Sequence, residues 1–135
     1  MNGQFQIAVH ILTLLSKANG KLLSSEYIAG SININPALAR KEIGNLRNYG
    51  LISSKEGKNG GYSLNKPSGQ ITLADAYEAV KSQPVLGSAK NEPNPDCPVG
   101  KQINKNMDEL YADLDKTLLK KLSSINLADF SNQFD

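Results

Sequence analysis

The stretch that most constrains this chain is residues 51–65, LISSKEGKNGGYSLN. Two short strand-like runs, 51–55 and 61–65, are joined by a loop that carries Gly57, Gly60 and Gly61. That pattern predicts a β-hairpin whose turn needs glycine. A phosphate cradle is excluded by context, because a P-loop requires GxxxxGK[ST] running into a helix and this loop runs into a strand. What the hairpin is for depends on what precedes it.

Three helical segments precede it. Residues 4–18 carry Phe5, Ala8, Val9, Leu12 and Leu15 at helical spacing, widened by Ile7, Ile11 and Leu14, which predicts a mostly buried helix. His10, the only histidine, has no second histidine or cysteine nearby and reads as structural. Ser24 or Ser25 caps a short second helix to about Ser31, with Glu26 in its first turn and Ile28 and Ile32 inward. Asn33 stands where a tight turn needs a positive φ. Asn35 then caps a third helix, Pro36 takes its first position, and Gly50 stops it after Tyr49. Ala39, Ile43 and Leu46 fall at i, i+4 and i+7 and face inward. Ala37, Arg40, Lys41, Gly44, Asn45 and Asn48 fall mostly on the other side, with Glu42 at the edge of that exposed face.

Helix, three-residue turn and helix make a helix-turn-helix, and a hairpin directly after it makes a wing. The exposed face of the third helix is basic and rich in amides, the side chains that pair with base edges. The competing reading, an ordinary solvated helix, would carry more Glu. Lys55 and Lys58 at the hairpin tip reach phosphates or the minor groove, and the glycines let backbone N–H groups approach closely.

After a break at 67–70, Thr72 caps another helix with Asp75 three residues on as a capping-box variant, and Leu73, Ala76, Tyr77 and Val80 form its inner face. Residues 83–100, QPVLGSAKNEPNPDCPVG, hold four prolines and two glycines and read as a loop or hinge. From Pro98 to Leu122 runs the longest helix. Ile103, Met107, Leu110, Leu114 and Leu118 line one stripe of it, widened by Tyr111 and Leu122. A small chain does not easily bury so long a stripe in its own domain, so a partner helix from a second copy is expected to cover it. Asn126 with Asp129 opens a last turn that brings Leu127 and Phe130 onto the fold, and the tail SNQFD is expected to fray.

Composition narrows the function. At 135 residues the chain fits one domain with an appended element. No apolar run of membrane-spanning length and no signal-peptide pattern is present, and the single cysteine, Cys97, suits a reducing cytoplasm. Residues 1–66 carry eight Lys and Arg against three Asp and Glu, a balance of +5, while 67–135 carry seven against ten, a balance of −3. A basic half joined to an acidic half points the first half at a polyanion. An enzyme is not expected: no nucleophile–base pair, metal-spaced His/Cys set or paired carboxylates appear, and Asp113 and Asp115 point different ways on a helix.

At residues 46–64 the pattern LxxxGLxxSxxGxxGGYxL is met by Leu46, Gly50, Leu51, Ser54, Gly57, Gly60, Gly61, Tyr62 and Leu64, and CPVG opens the long helix. On these stretches the chain resembles the Rrf-two family of bacterial winged helix-turn-helix transcription regulators, in order over nearly its whole length. The resemblance implies a homodimeric repressor. Each third helix would enter a major groove, each wing would lie beside or in the minor groove, and the long helices would cross at the interface. It puts Ala37, Arg40 and Lys41 at base-reading positions. The wing position before Gly57, usually arginine in the family, is Glu56 here, so a flanking lysine, Lys55 or Lys58, stands in for it. Cluster-binding members carry three cysteines before the long helix; here Cys97 is alone, and neighbouring positions hold Asn91, Glu92 and Gly100. One thiolate does not hold an iron–sulfur cluster, so no cofactor or metal is expected.

The expected fold is mainly α with a small β-hairpin wing. It comprises a winged helix-turn-helix domain (1–66), a connecting helix (67–82), a flexible sensing or hinge loop (83–100), and a dimerisation helix with a C-terminal turn (101–135). The candidate DNA-binding residues are Ser25, Asn35, Ala37, Arg40, Lys41, Asn45, Arg47, Lys55, Lys58, Asn59 and Gly60. The candidate dimer residues are Ile103, Met107, Leu110, Leu114 and Leu118. The expected function is sequence-specific transcriptional regulation at an imperfect palindrome; the alternative is a protein-interaction module that uses a winged fold. Cys97, at the N-terminus of the long helix, is either a redox-sensing thiol or a small capping residue. The 83–100 loop is otherwise the place for a small-molecule or protein effector.

Overall fold

The computed structural model describes residues 3–81 and 91–134. Residues 83–90 of the expected sensing loop therefore lie outside the described residues. Among the described residues, six α-helices and one hairpin follow in the order α1 (Gln4–Lys17), α2 (Ser25–Ile32), α3 (Pro36–Asn48), β1 (Ile52–Lys55), β2 (Gly61–Leu64), α4 (Leu73–Val80), α5 (Pro98–Ser123) and α6 (Leu127–Ser131). The fold is mainly helical with a two-stranded antiparallel hairpin and one long helix near its end.

Local chemistry sets these boundaries. The Ser24 hydroxyl accepts from the Tyr27 N–H and starts α2, which resolves the choice between two adjacent serines. Asn33 ends α2 at φ 63°, a left-handed conformation that asparagine tolerates. The Asn35 side chain accepts from the Ala37 N–H at 2.7 Å, and Pro36 occupies the first turn of α3. At α4 the capping box is complete: Thr72 Oγ1 accepts from the Asp75 N–H and Asp75 Oδ2 accepts from the Thr72 N–H.

One core joins the first half to the end of the chain. Ile11 and Leu12 of α1, Ile28 of α2, Ile43 and Leu46 of α3, Leu51 and Ile52 at the hairpin entry, Ile71 and Leu127 are all fully buried in it. Leu127 reaches the core because the backbone on either side of Asn126 pairs with the 71–73 segment: the Leu127 N–H donates to the Ile71 carbonyl at 2.7 Å, and the Leu73 N–H donates to the Ile125 carbonyl. Over its described residues, 131–134, the tail does not fray as expected. Ser131 is buried, Phe134 packs on Phe130 with ring centroids 5.5 Å apart, and Lys17 Nζ donates to the Phe134 carbonyl at 2.7 Å. The aromatic contact and this bond hold the tail against the end of α1.

α5 is different. None of its 26 residues is buried in the single chain. It touches the rest through α4 and, at its end, through Leu122. A polar node fixes the α4 contact: the Tyr77 hydroxyl donates to Asp115 Oδ1 at 2.9 Å, and Lys81 Nζ reaches Asp115 Oδ2 at 3.2 Å and Glu78 at 3.4 Å.

Candidate nucleic-acid interface

The hairpin is a wing held close to the helix-turn-helix. Its register pairs Ile52 with Leu64, Ser53 with Ser63, Ser54 with Tyr62 and Lys55 with Gly61. Leu23, just before α2, adds a further rung to β2: its N–H donates to the Tyr62 carbonyl at 3.0 Å and its carbonyl accepts from the Tyr62 N–H at 2.8 Å. This rung explains the GGY run. A Cβ on Gly61, at φ 154°, would sit 2.8 Å from the Leu23 carbonyl oxygen, and one on Gly60 would run into the Lys55 carbonyl. Gly57 turns the tip at φ 102°. The glycines therefore shape the wing, which leaves contact with a ligand to the side chains around them.

α3 presents the surface beside that wing. Ala39, Ile43 and Leu46 are buried, while Asn35, Ala37, Arg40 and Lys41 are exposed in succession along the outer face. Arg47, near the helix end, is exposed and its guanidinium lies 3.5 Å from the Ser54 hydroxyl of β1. Arg47, Ser54, Lys55 and the N-terminal turn of α2 line one shallow groove of about 340 Å³ between helix-turn-helix and wing. The backbone N–H groups that open α2 add partial positive charge there, opposed by Glu26 and Glu56 on the rim. Lys58 and Asn59 are exposed at the tip. The surface is cationic, donor-rich and convex at α3, the shape and charge suited to a phosphate backbone and a groove.

Not every candidate shares that exposure. Ser25 is buried and its hydroxyl donates to Glu26. Asn45 is half-buried and donates to Glu42 Oε1 at 3.0 Å. Glu42 itself departs from expectation. It lies under the helix, 1 % exposed, where its carboxylate also accepts from Gln4 Nε2 of α1 at 3.1 Å. Its position three residues after Ala39 and four before Leu46 was the only sign of this, and its charge argued the other way.

Along α5, Ile103, Leu110 and Leu114 are 37 %, 48 % and 38 % exposed, and Met107 and Leu118 are half-buried. They form an apolar stripe whose outer side is left open by the described residues. Cys97 is the N-cap residue of α5, exposed, with its backbone carbonyl accepting from the Lys101 N–H and no side-chain cap bond. His10 Nε2 shares a hydrogen bond with Ser31 Oγ at 3.1 Å.

A helix-turn-helix, a glycine-shaped wing and a long helix with an apolar stripe define the class of winged-helix transcription regulators. Comparison with known proteins makes the assignment particular. The Rrf2 family model, described as iron-dependent transcriptional regulators, matches residues 1–133, and the chain belongs to that family. It is 36 % identical over 132 residues to a Bacillus subtilis protein provisionally named HTH-type transcriptional regulator YwnA, covering 98 % of this chain and 97 % of that one. A crystal structure provisionally described as a DNA-binding protein superposes with a TM-score of 0.75 at 34 % identity, covering 94 % and 97 % of the two chains. CymR, the global cysteine regulator of B. subtilis, shares the fold with a TM-score of 0.73 at 24 % identity over 100 % of this chain and 98 % of its own. The family is one of DNA-binding transcriptional regulators and not of enzymes.

The iron in the family's description does not fit this chain's donors. The whole sequence offers one cysteine and one histidine, and the histidine is engaged with Ser31. Among the described residues no group of three or more His, Cys, Asp and Glu side chains is arranged to hold a metal ion. A thiolate-ligated cluster wants about four ligands, so no step below runs through iron.

Proposed function

We propose that the protein is a cytoplasmic, homodimeric, sequence-specific transcriptional repressor. In this reading α3 enters the major groove with Ala37, Arg40 and Lys41 toward base edges. Asn35, Arg47, Lys55, Lys58, Asn59 and the backbone at Gly60 contact phosphates, and two copies pair along α5. The observation that carries it is the coincidence of two surfaces in one small chain: the exposed cationic face of α3 beside the wing, and the uncovered apolar stripe of α5. Two recognition helices on a two-fold axis bind half-sites about 34 Å apart, which requires an imperfect palindrome. Control comes through the segment before α5, by thiol chemistry at exposed Cys97, a small ligand or a protein partner.

The test is fluorescence anisotropy of the purified protein with duplex DNA from its own upstream region, across a salt series and with a mild thiol oxidant followed by reductant. The reading expects selective binding, with a log–log salt slope of about −0.9 per phosphate neutralised. Binding no tighter than to random duplex would sink it. Indifference to oxidant would remove Cys97 from the control step and leave a ligand or partner.

A further inference from the structure

Glu42 has no reason to be where it is if α3 only had to fold. A carboxylate buried in an apolar core is costly unless all its lone pairs are used. Here Oε1 accepts from both Gln4 and Asn45, while Oε2 has no hydrogen-bond partner among the described residues. An apolar side chain would fill the space between α1 and α3 without that penalty. What the carboxylate does accomplish is local. It only accepts hydrogen bonds, so the Asn45 side chain three residues on must turn its N–H edge inward toward Glu42. The oxygen of the same amide then lies on the side turned away from Glu42. Asn45 is half-buried on α3, one turn beyond exposed Lys41.

We propose that Glu42 is a positioning residue for base reading: its buried carboxylate holds the Asn45 amide so that a hydrogen-bond acceptor faces the groove. An acceptor there selects a base that offers an amino group in the major groove, adenine N6 or cytosine N4, and disfavours guanine O6 and thymine O4. Gln4 braces the carboxylate from α1, so the rotamer is set from two helices. The inference rests on α3 being the reading helix.

The experiment has two arms on the full chain. In the first, the side-chain amide resonances of Asn45 are followed by 15N NMR without DNA. The wild type is expected to show one slowly exchanging Asn45 amide proton, and Glu42→Leu is expected to move it to the position of a free amide. In the second, a duplex set with each operator base pair replaced singly is bound by wild type, Glu42→Leu, Glu42→Gln and Asn45→Ala. The expected result is a preference of roughly ten-fold at one position per half-site that Glu42→Leu and Asn45→Ala lose and that Glu42→Gln, whose amide oxygen still accepts from Asn45, keeps, while other positions are unchanged. Glu42→Leu should melt no lower than wild type, which separates positioning from folding. An Asn45 resonance that ignores Glu42→Leu, or a Glu42→Leu protein that reads every position as wild type does, would overturn the proposal. Failure of the wild type itself to select any duplex would instead overturn the DNA-binding reading on which it stands.

Discussion

α4 packs against two different kinds of structure. On one side, α1, α2, α3 and the wing close around a core whose largest side chains are fully buried. On the other, α5 is twice the length of α3 and buries no residue. Both helices carry an apolar stripe at 3.6-residue spacing. In α3 the stripe meets α1, α2 and α4 of the same chain; in α5, among the described residues, the main packing is against α4 alone. The same sequence signal therefore has two physical outcomes, and what decides between them is the amount of partner surface within reach. The N-terminal unit is complete as a single chain. The proposed dimer is what would complete α5.

The sharpest way to break this contrast is to charge the α5 stripe. Leu110→Asp with Leu114→Asp should leave far-UV circular dichroism and the N-terminal fold intact, since neither side chain contributes to the core. It should abolish self-association by sedimentation. Loss of the linked second half-site should weaken operator binding by roughly 100-fold or more. Leu12→Ala probes the other side. Leu12 is fully buried in α1, and the change should cost about 2–5 kcal/mol in chemical denaturation, with a midpoint shift that does not depend on protein concentration. Within the interface, Arg40→Ala should cost about 1–3 kcal/mol and relax selectivity at one base, while Lys55→Ala should weaken all duplexes alike and reduce the salt slope by about 0.9.

The smallest effect concerns the node that joins the two regions. Burial and then the hydrogen bond to Asp115 push the Tyr77 phenol above its usual 10.0. For Lys81, burial works against the charge, but the Asp115 hydrogen bond and the Glu78 and Asp115 charges outweigh it and hold the ammonium above 10.5. Both groups bind their protons more tightly when folded. Their contribution is thus fully present below pH 10.0 and is lost as pH rises through the raised values. Denaturation midpoints measured from about pH 9 to about pH 11 should fall less steeply in Asp115→Asn than in wild type. Equal slopes would remove the node from the account.

Much of this was legible in the residues because the signals are local. Asn35–Pro36, Thr72 with Asp75, and Asn33 at a positive φ each act through a backbone group within three residues, and such chemistry needs no tertiary context. The wing glycines were legible as a turn, but the reason for Gly61 is Leu23, 38 positions earlier, which no local pattern encodes. Glu42 was placed near the edge of the exposed face; its burial goes with the approach of Gln4 from α1. The tail SNQFD was expected to fray, and its described residues are held by Lys17 and Phe130 instead. Local capping was readable; side chains answered by a distant helix were not.

The most direct test of the central contrast is the mass in solution, by sedimentation equilibrium at micromolar concentration, of the protein alone and bound to its palindromic duplex. A dimer paired along α5 has twice the chain mass of 14.6 kDa without DNA and puts two chains on each duplex. A single-chain mass with one chain per duplex would mean that α5 needs no second copy, and would contradict it.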